Sequence, residues 1–270
     1  MIVSRGGEEK PLYNECEQCR KKKREAEARA EALKELEQTK EEQRDHWFDE
    51  YNIPCLFVGK TFEDFNRKLQ PATFDMVKGY SGKSIVLLSP DKYGVGKTHL
   101  VAALANHLLD SEDPAYFSPH SLRVIKRPCP VYFTTESDLL DGIRATFNRQ
   151  GGNVNPETEE SIYKQLASYG LLIIDDVGKT RPRDYSFLQG VYYRIINSRY
   201  VNEQPLILTT NLGFDELEKH IGGACADRLR EMCGRENFVV MKGESYRKQP
   251  GQTVVPKERS RDKAPSACKM

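Results

Sequence analysis

The chain has 270 residues, 38% hydrophobic and 30% charged, and its 41 basic and 40 acidic side chains leave a formal net charge of +1. That length allows one full-sized domain plus a smaller unit, and so even a balance excludes a global basic field, leaving any nucleic-acid contact to local patches. No apolar run approaches the ~20 residues a membrane span needs, and the first fifteen residues hold no signal-peptide stretch, so a cytoplasmic protein with no membrane partner is expected.

Residues 17–51 contain no Gly or Pro and are rich in Glu, Lys, Arg and Ala, which predicts one long charged helix. Its apolar residues, Leu33, Leu36, Trp47, Phe48 and Tyr51, are too sparse for a heptad seam, so it reads as solvated with an adhesive carboxyl end. The basic run at 20–24 reads as a solvated face, with a DNA or partner patch as the alternative. Asn52, Ile53 and Pro54 break the helix, and Phe57, Phe62 and Phe65 begin a segment able to pack on a core. Short apolar runs at 84–89, 131–135, 171–174, 206–210 and 238–241 then read as strands. Between them, 97–109, 137–148, 161–168 and 185–199 read as helices, the second with Leu139, Leu140, Ile143 and Phe147 on one face. This alternation predicts an α/β fold whose parallel sheet is covered by helices on both faces. Residues 111–130, with four prolines and no period, read as an inserted surface loop, and those after 249 as a disordered basic tail.

Gly94, Val95, Gly96, Lys97 and Thr98, with His99 behind them, lie between the first strand and the first helix after it, the context a phosphate-binding loop requires. Backbone N–H groups at a helix start can cradle phosphate oxygens, Lys97 can neutralise the β/γ-phosphates, and Thr98 can ligate Mg²⁺. The pattern departs from the full motif at Asp91, where a glycine is usual. A second apolar strand ends in Asp175 and Asp176, which puts two carboxylates at the carboxyl edge of the sheet. Asp175 would hold Mg²⁺ and Asp176 orient or deprotonate water; solvated acids after a strand are the plainer alternative. Asn211 closes a third apolar strand, either as a turn former or beside the γ-phosphate. Arg228 and Arg230 are candidates for a guanidinium offered to a neighbouring subunit, or for ordinary surface charge.

The order GVGKTHL, LLIIDDVG, LTTNL, DRLREMC and KGESYR resembles AAA+ helicase loaders of the DnaC/DnaI type and, equally, the IstB transposition ATPases. NIPCLFVGKTFEDF and FTTESDLLDGIRATF agree, so the likeness covers about residues 50–248. The resemblance implies an AAA+ P-loop core over 52–248, a partner-docking segment over 1–51 and a tail over 249–270. It also implies Lys97 and Thr98 as Walker A residues, Asp175 and Asp176 as Walker B, Asn211 as sensor 1 and Arg228 as arginine finger, with Arg230 as competitor. ATP and Mg²⁺ are the implied cofactors. The implied activity is an ATPase that loads a replicative hexameric helicase of DnaB type onto single-stranded DNA and self-associates through the finger. Alternatives are a transposition helper acting on duplex DNA with a transposase, and an ATP-binding adaptor that hydrolyses little.

Seven cysteines, at 16, 19, 55, 129, 225, 233 and 268, read as reduced thiols. Cys16 and Cys19 have the spacing of half a structural zinc site; relatives often carry a second CxxC just upstream, absent here, so no intact intramolecular zinc site is expected. In the loaders the region matching 138–160 touches single-stranded DNA, which makes Arg144, Phe147 and Arg149 candidates for phosphate contact and base stacking. The alternative puts Phe147 on the helix's buried face and leaves the arginines solvated.

Overall fold

The computed structural model describes residues 16–147, 158–182 and 184–246. By their contacts they divide into two compact units, one from the residues up to 43 plus 113–127, the other from 44–112 plus 128 onward. The elements in chain order are α1 (Glu17–Glu50), α2 (Pro71–Lys78), β1 (Ile85–Leu88), α3 (Lys97–Ser111), β2 (Ala115–Ser118), β3 (Arg123–Lys126), β4 (Val131–Thr135) and α4 (Glu136–Phe147). There follow α5 (Glu159–Ser168), β5 (Leu171–Val177), α6 (Ser186–Val201), β6 (Leu206–Thr210), α7 (Phe214–Ile221), α8 (Gly223–Cys233) and β7 (Phe238–Val240).

In the smaller unit, α1 is exposed along most of its length, Leu33 included. Residues 111–130 are not the irregular loop that their prolines suggest: β2 and β3 pair antiparallel from Ala115↔Lys126 to Ser118↔Arg123. Pro114, Pro119, Pro128 and Pro130 all fall outside the strands, where the missing N–H costs no ladder bond, and Leu122 takes φ 52° in the turn. Gln43 donates to the Arg127 carbonyl at 2.9 Å, holding the hairpin's base.

The larger unit is built on a five-stranded sheet in the order β4-β5-β6-β1-β7, every pair parallel. Its central strands are apolar along most of their length because both faces are covered, and their polar residues gather at the carboxyl ends. Ile85, Leu87, Phe133, Ile173 and Ile207 pack on one side with Leu100, Val101 and Leu104 of α3, joined by Trp47, Phe48 and Tyr51. Val86, Leu88, Ile174 and Leu208 pack on the other with Ile143 of α4 and Leu188 and Ile195 of α6. From β1 the chain crosses to the far edge at β4 and works back through β5 and β6 before adding β7 on β1's open side. The carboxyl ends of β1, β5 and β6 therefore meet beside that reversal, where ligands bind in open parallel sheets. No described helix is long and apolar enough to cross a membrane.

The strands at 131–135 and 206–210 fall where their composition predicts, and β5 runs three residues further, to Val177. Helices α2 and α7, each eight residues, are too short for periodicity to reveal. The tail lies outside the described residues.

Candidate nucleotide site

The loop from β1 to α3 turns on three left-handed residues: Asp91 (φ 56°), Gly94 (φ 74°) and Gly96 (φ 100°). Asp91 thus adopts the conformation a glycine would supply, which Asp tolerates better than most side chains. At Gly96 a Cβ would stand 2.5 Å from Phe65 Cε2, so the aromatic segment before the sheet requires this glycine. Gly94 accepts a bond from the Tyr246 amide at 2.8 Å, and Val95 is buried.

Lys97 opens α3 and is buried; its Nζ donates to Ser89 Oγ and, at 2.5 Å, to Asn211 Oδ1. Thr98 Oγ1 donates to Asp175 Oδ2 at 2.9 Å, and Thr209 Oγ1 donates to Asp175 Oδ1 at 2.5 Å. Burial, reinforced by Asp176 beside it, pushes the Asp175 carboxyl up to about 6. Asp176 stands at φ 58°, at an irregularity in the β5–β6 register. Its amide donates to Thr209 Oγ1 at 3.0 Å, and its carboxylate pairs with Lys179. Side chains from α3, β5 and β6 and from the residues just after β1 and β6 therefore converge on one edge of the sheet.

They open on a cavity of about 220 Å³, lined on one side by Gly94–Thr98, Asp176 and Asn211 and on the other by Leu56, Phe57, Phe65, Leu69 and Tyr93. The first side offers backbone amides and the Lys97 ammonium and the second an apolar wall of aromatic and leucine side chains, which suits a phosphate chain and a flat base. His99 lines it too; burial, then Lys60 nearby, holds its pKa below the usual value. Its Nε2 is buried without a partner among the described residues, as a group awaiting a ligand would be. The oxygen donors Thr98 and Asp175 fit a hard divalent cation such as Mg²⁺.

The remaining predicted residues lie apart from this cavity. Arg228 stacks over Tyr193 and Tyr200 of α6, 5.2 and 5.9 Å from the ring centroids, whereas Arg230 pairs with Glu218 at 2.9 Å. Arg144 pairs with Asp141 and lies over Phe187. Phe147 is not on the buried face of α4: at the helix's last residue it is 53% exposed, its ring edge against Phe187. Arg149 lies outside the described residues. Cys16 and Cys19 are exposed, their sulfurs 3.2 Å apart, and no three His, Cys, Asp or Glu side chains among the described residues are grouped to hold a metal.

Sequence reasoning passed over Ser89 and Thr209, whose hydroxyls hold Lys97 and Asp175. It also passed over Glu136, which is buried and bonded to the chain just after Asp176. The one available signal for Glu136 was an acid directly after an apolar strand, as at Asp175.

A sequence model of the family described as IstB-like ATP binding protein matches residues 14–253. The replicative helicase loader DnaC of Escherichia coli (strain K12) is 26% identical over 171 residues, 63% of this chain and 60% of that protein. The phage-like element PBSX protein XkdC of Bacillus subtilis (strain 168) is 29% identical over 180 residues, 65% of this chain and 56% of that protein. The chain thus spans about three fifths of the length of these relatives. The solved structure of DnaI shares the fold, with a TM-score of 0.50 at 16% identity over 75% of this chain and 98% of that one.

Proposed function

The chain belongs to the IstB-like ATP binding protein family and has an AAA+ P-loop core, and from that premise we propose that it is an ATPase loading a replicative hexameric helicase of DnaB type onto single-stranded DNA. The observation that carries the ATPase part is the convergence of Lys97, Asn211, Thr98 and Asp175 at one sheet edge. In this reading Lys97 leaves Ser89 and Asn211 for the β- and γ-phosphates, and the amides of Gly94–Thr98 cradle them. Thr98 and Asp175 hold Mg²⁺, which when bound offsets phosphate charge. Asp176 orients the attacking water, and Asn211 contacts the γ-phosphate. Arg228 is the arginine finger: Arg230 already has Glu218, while Arg228 rests on tyrosines of a half-exposed surface.

The helicase and DNA parts rest on the relatives whose names say helicase loader. Residues 1–51 dock the helicase, 52–248 act as the ATPase and 249–270 are a tail, in a cytoplasmic protein that assembles with its own copies. Arg144, Phe147 and Arg149 contact single-stranded DNA; the exposure of Phe147 favours this over burial. A pull-down of the replicative helicase by residues 1–50 tests the loading role; no capture, with capture of a transposase by the full chain, would favour the second reading. That reading, a transposition helper on duplex DNA, is favoured by the family's IstB description.

A further inference from the structure

Glu136, the first residue of α4, is 1% exposed, and its carboxylate takes four hydrogen bonds. Oε2 accepts from the backbone amides of Gly178 at 3.0 Å and Thr180 at 3.1 Å. Oε1 accepts from the Tyr192 hydroxyl of α6 at 2.8 Å and meets His220 Nε2 of α7 at 2.6 Å. Burying a carboxylate is costly unless its bonds are fully made, and an apolar side chain here would leave two backbone amides and a tyrosine hydroxyl without their acceptor. What the carboxylate adds is a fixed position for the backbone it holds.

That backbone directly follows Asp176. Lys179, which pairs with the Asp176 carboxylate, sits between the two residues that Glu136 holds. On its other side the segment is confined from β6: Thr209 bonds the Asp176 amide, and a Cβ on Gly178 would meet Leu212 Cδ1 at 2.4 Å. Asp176 therefore has little freedom while both clamps are closed.

We propose that Glu136 is a positioning residue for ATP hydrolysis: it fixes the segment 178–180, and through it the Asp176 carboxylate, against α6 and α7. The proposal rests on Asp176 being the group that orients the attacking water. The clamp also has a second end. Glu218, on α7 with His220, pairs with Arg230 of α8, the helix that carries Arg228. A displacement of α7 is thus felt both at the water-orienting carboxylate and at the helix offered to a neighbouring copy.

The decisive variant is Glu136→Gln, nearly isosteric and uncharged, in the full chain. Without nucleotide, hydrogen exchange at the Gly178 and Thr180 amides should rise roughly tenfold, because a neutral acceptor holds them less firmly. With ATP, Mg²⁺ and single-stranded oligonucleotide present, kcat should fall roughly 10- to 100-fold, while affinity for a fluorescent ATP analogue stays within about twofold, since the phosphate cradle is untouched. His220→Gln keeps a donor to Glu136 and should preserve wild-type exchange and kcat. Wild-type exchange and kcat in Glu136→Gln would overturn the proposal. So would a loss of kcat matched by an equal loss of affinity for the analogue, which marks a merely structural role. If Glu136→Gln does not fold, Tyr192→Phe, lacking one donor, must show the same split between kcat and affinity to a smaller degree, and its absence is equally fatal. Lys97→Ala separates two failures. Turnover that survives in Lys97→Ala removes the site assignment itself; turnover lost there but intact in Glu136→Gln removes only the positioning role.

Discussion

Lys97 and Arg199 are the buried lysine and arginine among the described residues, at 5% and 1% exposure, and they are held in opposite ways. Lys97 is held by side chains, Ser89 Oγ and Asn211 Oδ1. Arg199, at the end of α6, is held by backbone: Nε donates to Pro205 O, Nη1 to Leu166 O, and Nη2 to Tyr169 O and Gly170 O, all within 3.1 Å. Three of those carbonyls are at or just past the carboxyl end of α5, where a helix has no acceptors' partners of its own. Burial lowers the Arg199 pKa to about 10, which still leaves it charged at neutral pH. One cation can release its partners to a ligand by rotating side chains; the other can be released only by unfolding the chain around it. Burial of a charge thus identifies neither function nor scaffold until its partners are known.

The sharpest way to break this distinction is to remove each cation in turn. Arg199→Met should cost roughly 3–4 kcal/mol in urea unfolding, since several buried carbonyls lose their donors at once, while nucleotide affinity of the folded fraction stays near wild type. Lys97→Ala should do the reverse. Its stability should stay within about 1 kcal/mol, because Ser89 and Asn211 can turn to each other or to water, and ATP turnover should fall roughly 100- to 1,000-fold. Equal stability losses in the two variants would erase the contrast.

The same contrast explains what could be read in the sequence. Lys97, Thr98, Asp175, Asp176 and Asn211 were legible because phosphate chemistry demands those residue types at strand ends, and the strand–loop–helix order places them. Arg199 was not: its acceptors come from residues 166, 169, 170 and 205, and backbone carbonyls leave no mark on a sequence. Glu136 has the same difficulty, since half its partners are amides and the others come from two distant helices. The hairpin was hidden by prolines that bound its strands without entering them. Phe147 fitted the apolar stripe of α4 by spacing, yet it closes the helix and is half exposed.

A smaller effect sharpens the comparison by asking whether the buried anion behaves as scaffold or as switch. Burial pushes the Glu136 carboxyl up, but bonds from His220, from Tyr192 and from the Thr180 amide pull it down further, so its pKa lies below the ordinary 4.5. A carboxyl lowered on folding adds stability that is full above its unfolded value and is lost as pH falls through its folded one. Glu136→Gln lacks that contribution at every pH. The stability gap between wild type and Glu136→Gln should therefore be roughly 1–2 kcal/mol at pH 7, hold nearly constant down to about pH 5, and shrink steadily below pH 4.5. Urea unfolding of both proteins at matched pH reads it directly. A gap unchanged through pH 4 would mean that the shape of the side chain, and not its charge, holds the segment after Asp176. Glu136 would then resemble Arg199 as fixed scaffold, and its tie to α7 would lose the electrostatic part of its strength.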